Sequence, residues 1–227
     1  MKIKIYQIDT DRDINRVKFM GLEELSKYQG RNEIDASLYN EMFSGEVDCK
    51  DLEEVYEMFN LEPHPLHRGH SFSMSDVVLT DTGAFYCDRV GFERVGFEAS
   101  KAQKPANLLK VVYIEPKKAA YIADVADTLR DLQRAVGGRI KLIDNGDGTG
   151  IVCSQEAKLQ GMKGNRRLGN GKSVIAGPFF VVGLGEEDFR TLTDEEIQKY
   201  IDRFSMPEEI SNEEVEADMG YTFIPLD

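Results

Sequence analysis

The sequence predicts two small α+β domains, each a mostly antiparallel sheet with one to three helices. Three observations predict it. Runs with two-residue alternation are interspersed with short amphipathic helices rather than ordered as a regular βαβ series. Tight-turn signals, Asp81-Thr82-Gly83 and Asn145-Gly146-Asp147-Gly148, join neighbouring runs into hairpins. A small, polar stretch at 99–106 (ASKAQKPA), with Pro105 inside it, interrupts the pattern and reads as a linker. The expected layout is a domain at 1–98, a linker at 99–106, a second domain at 107–206 and an acidic tail at 207–227.

In the first domain, residues 2–8 set Ile3, Ile5 and Gln7 against Lys4 and Tyr6, the alternation of a strand. Residues 21–29 make a short helix on Leu22, Leu25 and Tyr28. A better helix covers 50–60, where Leu52, Val55, Tyr56 and Phe59 share a stripe, Asp48 is placed as cap, and Pro63 and Pro65 stop the run. Residues 71–80 and 84–95 read as two extended runs, with Ser71, Ser73 and Ser75 on one face of the first.

The pattern restarts after the linker. Residues 108–114 are an apolar strand, and 128–136 a helix with Leu129, Leu132 and Val136 on one side and Gly137-Gly138 to end it. Strands at 139–144 and 150–153 flank a turn at 145–148, read as type I′. Residues 174–184 are a near-continuous strand notched by Gly177-Pro178. Thr193 and Glu196 form a capping box for a helix at 194–204, whose buried stripe is Ile197, Tyr200, Ile201 and Phe204. The run EEISNEEVEAD at 208–218 reads as a solvated extension, followed by Tyr221, Phe223, Ile224 and Leu226.

Charge is unevenly spread. Residues 1–100 carry 11 basic and 20 acidic side chains, residues 101–180 carry 14 and 7, and residues 181–227 carry 3 and 14, so the total of −13 divides into −9, +7 and −11. The densest basic stretch is 158–172, with Lys158, Lys163, Arg166, Arg167 and Lys172. No run of about 18 apolar residues occurs, so no membrane partner is expected, and the N-terminus lacks the pattern of a signal peptide. Three scattered cysteines fit neither a disulfide framework nor a closed zinc site, and a cytoplasmic location is expected.

Several constellations approach a chemical motif and stop short. His64, His67 and His70 could converge on a metal, but Pro63 and Pro65 deny them helical spacing. The simpler expectation is a surface loop with the outer histidines solvated and His70 hydrogen-bonded beside the serines. Gly69, His70, Ser71, Ser73, Ser75 and Asp76 gather hydroxyl, imidazole and carboxylate, yet on one local segment and without a nucleophile elbow. Gly169-Asn170-Gly171-Lys172-Ser173 has the end of a P-loop without its first glycine and is followed by a strand rather than a helix. A looser phosphate or nucleic-acid contact through Lys163, Asn165, Arg166, Arg167 and Lys172 survives. The loop at 144–148 lacks the ligand spacing of a calcium loop. Neither a catalytic residue, a metal nor a cofactor is expected.

Two resemblances cover most of the chain. Residues 1 to about 98 resemble the YodL-like domain through Tyr6-Gln7-Ile8, Arg12-Asp13, Asp51-Leu52-Glu53 with Phe59-Asn60, the stretch from Gly69-His70-Ser71 to Val78, and Tyr86-Cys87-Asp88 with Gly91-Phe92. Residues about 108 to 205 resemble a phage and plasmid domain of unknown function, number 3846. They do so through Thr128-Leu129, Leu132-Gln133, Val136-Gly137-Gly138, Asn165-Arg166, the run from Ile175 to Phe180 and Leu192-Thr193 with Glu195-Glu196, with Pro178 where that family usually has Thr.

These resemblances imply a setting on phages and conjugative elements of Gram-positive bacteria, often beside anti-restriction genes. The leading expectation is therefore a non-enzymatic accessory protein that binds a host protein, a defence or DNA-processing component. The alternative is nucleic acid or a phosphorylated ligand at residues 158–172. A weaker third is a metal-dependent or hydrolytic enzyme around His70.

Overall fold

A computed structural model of the chain describes residues 1–30, 33–169, 171 and 173–219. The chain forms two compact units, Met1–Ala106 and Asn107–Asp227, each an α+β arrangement of mostly antiparallel strands.

The first unit runs β1 (Lys2–Ile8), α1 (Leu22–Gln29), β2 (Glu33–Ile34), β3 (Tyr39–Glu46), α2 (Leu52–Leu61), β4 (Val77–Thr80), β5 (Gly83–Cys87) and β6 (Phe92–Phe97). Its sheet has the order β2-β6-β5-β4-β1-β3, antiparallel except where β2 meets β6. The alternation along β1 decides both faces. Tyr6 and Ile8 join Val17, Leu25, Tyr39, Val77 and Tyr86 in the cluster that includes α1. Ile5 pairs with Phe43 across to β3, and Phe43 meets Phe59 of α2 edge-on at 5.0 Å, so Ile3, Ile5 and Gln7 face α2.

Four expectations change here. The N-cap of α2 is Asp51, whose carboxylate accepts from Glu54 N–H, rather than Asp48. Residues 71–76 are a loop, so their serines do not share a strand face. The run 84–95 folds back on itself as β5 and β6, around a turn in which Asp88 N–H donates to Gly91 O. The stretch read as a linker packs onto β3: Ala99–Lys101 is a 3-10 turn, and Gln103 exchanges backbone bonds with Tyr39 and Glu41.

The second unit runs β7 (Leu108–Ile114), β8 (Tyr121–Ala126), α3 (Leu129–Val136), β9 (Ile140–Asp144), β10 (Thr149–Ser154), β11 (Gly164–Leu168), β12 (Ser173–Ala176), β13 (Phe179–Leu184), β14 (Phe189–Arg190), α4 (Asp194–Arg203) and α5 (Asn212–Asp218). The main sheet has the order β8-β7-β13-β10-β9 with β14 on β13, and β11-β12 is a separate hairpin. Helices cover both faces of the main sheet. Val112, Ile114, Ile151, Phe179 and Val181 pack with Ile197, Tyr200 and Phe204 of α4. Tyr113, on the other face of β7, donates its hydroxyl to Ala135 O of α3.

The α4 capping box and the glycine stop of α3 are as the sequence predicts: Thr193 accepts from Glu196 N–H, and Gly137 ends α3 at φ +73°. Thr128, expected inside α3, is instead its N-cap and accepts from Asp131 N–H. The expected strand at 174–184 is instead β12 and β13, which belong to different sheets and are separated by Gly177 at φ +72°. The turn at 145–148 is a four-residue loop. Type I′ requires positive φ at both central residues, and of these Gly146 has it and Asp147 does not. The acidic run is no free extension either: α5 packs Val215 against Ala157, Val174 and Ala176. Tyr221, Phe223, Ile224 and Leu226 lie outside the described residues. Among those described, no helix is long and apolar enough to cross a membrane.

Candidate functional site

The motif from Gly69 to Asp76 is wound around Gln7, a fully buried residue of β1. Gln7 Oε1 accepts from His70 N–H at 3.0 Å, while its Nε2 donates to Asp76 Oδ2 at 2.8 Å and to His70 O at 3.0 Å. Gly69 is required by this closeness, because a Cβ there would lie 1.9 Å from Gln7 Oε1. Asp76 Oδ2 also accepts from Ser73 N–H at 2.8 Å, and its Oδ1, equally buried, accepts nothing. Burial pushes the Asp76 carboxyl up to about 7, against the opposing pull of the Ser73 and Gln7 donors.

Ser75 is buried at φ +78°, held by Phe19 N–H on its hydroxyl and by the Tyr39 hydroxyl on its carbonyl. The motif thus ties β1, β3, β4, β5 and the loop before α1 together. His70 and Ser71 are exposed, Gly69, Ser73 and Met74 are partly exposed, and Phe72, Ser75 and Asp76 are buried.

These groups do not make a nucleophilic triad. His70 Nδ1 lies 2.7 Å from Ser71 O and 3.3 Å from Ser73 Oγ, so its short contact is to its own loop. Asp76 bonds Gln7 and Ser73, with no direct bond to the imidazole. The other two histidines are not solvated as expected: His64 and His67 are buried against Phe43 and Phe59, at 4.8 and 5.0 Å between ring centroids. Among the described residues, no three His, Cys, Asp or Glu side chains group to hold a metal ion.

A groove of about 630 Å³ opens beside this motif. Glu53, Tyr56 and Glu57 of α2 form one wall, and Met74, Cys87 and the turn from Asp88 to Phe92 form the other. Asp88 is partly engaged, accepting from Leu22 N–H and Arg89 N–H, while Arg89 pairs with Glu24. The Cys87 thiol is pushed up to about 12 by burial and by Asp76 and Asp88, which leaves it unreactive at neutral pH.

In the second unit the predicted residues separate. Asn165 and Arg166 are buried and satisfy the chain's own carbonyls. Asn165 Nδ2 donates to Ile114 O and Gly177 O, and the Arg166 guanidinium donates to Asn165, to Lys118 O and to Phe204 O at the end of α4. A cation at a helix C-terminus is favourable, and this one fastens α4 to the β11-β12 hairpin. Neither residue offers a donor to an outside ligand. Lys163 is exposed. Arg167 is half-buried and is gripped by the acidic run: Nη1 donates to Glu208 at 2.9 Å and Nη2 to Glu214 at 2.5 Å. Lys172 lies outside the described residues.

Gln7 and the groove acids are the residues that sequence reasoning missed. Gln7 at an apolar position of a strand was the available signal, since a buried amide needs partners.

Each half of the chain matches a family model. Residues 2–97 match the family model of the YodL-like domain, and residues 109–205 match that of domain of unknown function DUF3846. No curated protein and no solved structure matches the chain.

Proposed function

We propose that the protein is a non-enzymatic accessory protein of a phage or conjugative element, binding a cationic segment of a host defence or DNA-processing protein through the groove between α2 and the β5-β6 turn. The observation that carries this reading is the pairing of carboxylates with aromatic faces. Glu53 and Glu57 stand one turn apart on α2, where like charges cost a helix about 0.2–0.5 kcal/mol. A lysine or arginine seated between them turns that repulsion into attraction. Tyr56 and Phe92 supply the rings on which such a cation rests. The mobile-element setting is supported by the family resemblance of both halves.

The test compares the wild-type chain with Glu53→Gln/Glu57→Gln, two exposed positions whose replacement leaves the core untouched. An arginine-rich peptide titrated by calorimetry is expected to bind the variant about tenfold more weakly, and host proteins retained from a lysate by the wild type are expected to be lost. Equal peptide affinity, or an unchanged set of retained proteins, overturns the reading.

A further inference from the structure

The β11-β12 hairpin is a short sheet with two free edges, and the acidic run occupies both. Arg167 and Val174 are cross-strand partners, and their N–H groups leave the hairpin on opposite sides, one to Glu208 and the other to Asp218. On the β11 side, Arg167 N–H and Nη1 both donate to Glu208 Oε2, at 3.2 and 2.9 Å, and Nη2 reaches Glu214 Oε2 and Glu209 O. On the β12 side, Asp218 Oδ2 accepts from Val174 N–H at 2.8 Å, from the Ser173 hydroxyl at 3.3 Å and from the Lys158 ammonium. Each cradle combines a backbone amide with a cation, which is the donor set used to hold phosphate oxygens.

The strap that fills these cradles is held lightly. Its apolar anchors are Val215 and Ile210, in a small cluster apart from the main core, with Gly164 leaving room for them. The ion pairs are all partly solvated, and pairs this exposed add little to stability and weaken with salt. Residues 107–206 carry 15 basic and 14 acidic side chains, whereas residues 207–219 carry no basic and 6 acidic ones. The strap therefore changes the second unit from slightly basic to strongly acidic.

We propose that the β11-β12 hairpin is a binding site for the phosphate backbone of a nucleic acid, held closed by the chain's own segment 207–219 acting as a carboxylate stand-in. This site is independent of the groove in the first unit. Recognition is through phosphate oxygens, so it is insensitive to base sequence, and binding opens the strap.

The experiment uses the full chain and fluorescein-labelled oligothymidylate, with tripolyphosphate as the arm that separates a polynucleotide from a free phosphate. Glu208→Gln/Glu214→Gln/Asp218→Asn keeps the apolar anchors and releases the donors. Its control, Glu186→Gln/Glu187→Gln/Asp188→Asn, removes as many charges from an exposed loop elsewhere. The strap variant is expected to bind the oligonucleotide at least about tenfold more tightly than wild type, with a log–log salt slope near −1.4 from two cations at about −0.7 each. Adding Arg167→Ala and Lys158→Ala is expected to abolish the gain.

An equal gain in the control variant overturns the proposal, as does a strap variant that unfolds cooperatively yet gains nothing. Tighter binding of tripolyphosphate but not of the oligonucleotide, or of polyglutamate as strongly as of the oligonucleotide, also overturns it. Should the triple variant fail to fold, the single Glu214→Gln change at the more exposed pair replaces it, with a gain of about threefold expected and no gain counting against the site.

Discussion

At the residue scale, Asp76 shows how a motif rich in chemical groups serves structure. Its carboxyl is enclosed, receives Gln7 and Ser73 on one oxygen, and keeps the other without a partner. Burial holds its proton to about pH 7, whereas in the unfolded chain an aspartate releases it near pH 4. Between those values the folded state carries a proton that the unfolded state has lost, so stability falls as pH rises, by a total on the order of 4 kcal/mol. Asp76→Asn imitates the protonated form and removes this slope. Urea unfolding at pH 4.5 and 7.5 is expected to show the variant gaining on the wild type at the higher pH. A wild-type-to-variant difference that is equal at both values would contradict the burial argument.

At the scale of the element, α1 to α4 were legible, whereas α5 and several strands were not. The legible helices announce themselves through stripes, stops and one cap: Gly137 ends α3, and Thr193 with Glu196 carries the bonds that the letters imply. Strands β3 and β11 are hidden because polar residues take buried positions. Glu41 faces inward to meet Lys4 and the Tyr6 hydroxyl, and Asn165 and Arg166 spend their donors on carbonyls. Alternation of serines with Phe72 and Met74 imitated a strand where a loop is locked by Asp76, and the turn from Asp88 to Gly91 sat inside an apolar run. Of the site, the motif around His70 was visible as letters, but its centre at Gln7 was not, since that bond spans 69 residues in sequence. The cap of α4 offers a direct measurement. Thr193 accepts from Glu196 N–H while Glu196 receives Thr193 N–H and the Arg190 guanidinium, which holds its carboxyl down at about 2. Thr193→Ala is expected to lower the stability of the second unit by about 1 kcal/mol in urea unfolding. A loss below about 0.3 kcal/mol would mean that the Arg190–Glu196 pair alone secures the helix start.

At the scale of the whole molecule, the net charge of −13 is a sum over surfaces with different duties. The first unit presents acids at a groove, while the second neutralises its basic hairpin with its own C-terminal run. Each unit has a separate apolar cluster, Tyr6 to Tyr86 in one and Val112 to Phe204 in the other, and a chain with two cores has two structures to lose. Arg166 supplies a probe confined to the second. Replacing it by Met strips Lys118 O and Phe204 O of a charged donor, and each such bond contributes about 1.5–3 kcal/mol. Urea unfolding followed by tyrosine fluorescence and by amide exchange is expected to resolve two transitions in the wild type. In Arg166→Met, amides of β7, β10 and β13 should exchange at lower urea, with those of β1, β4 and β5 unchanged. Excised fragments 1–106 and 107–227 should each unfold cooperatively at the midpoint of the matching transition. If Arg166→Met instead lowers protection in β1 as much as in β7, the two cores melt as one cooperative body, and the independence argued from their separate clusters is wrong.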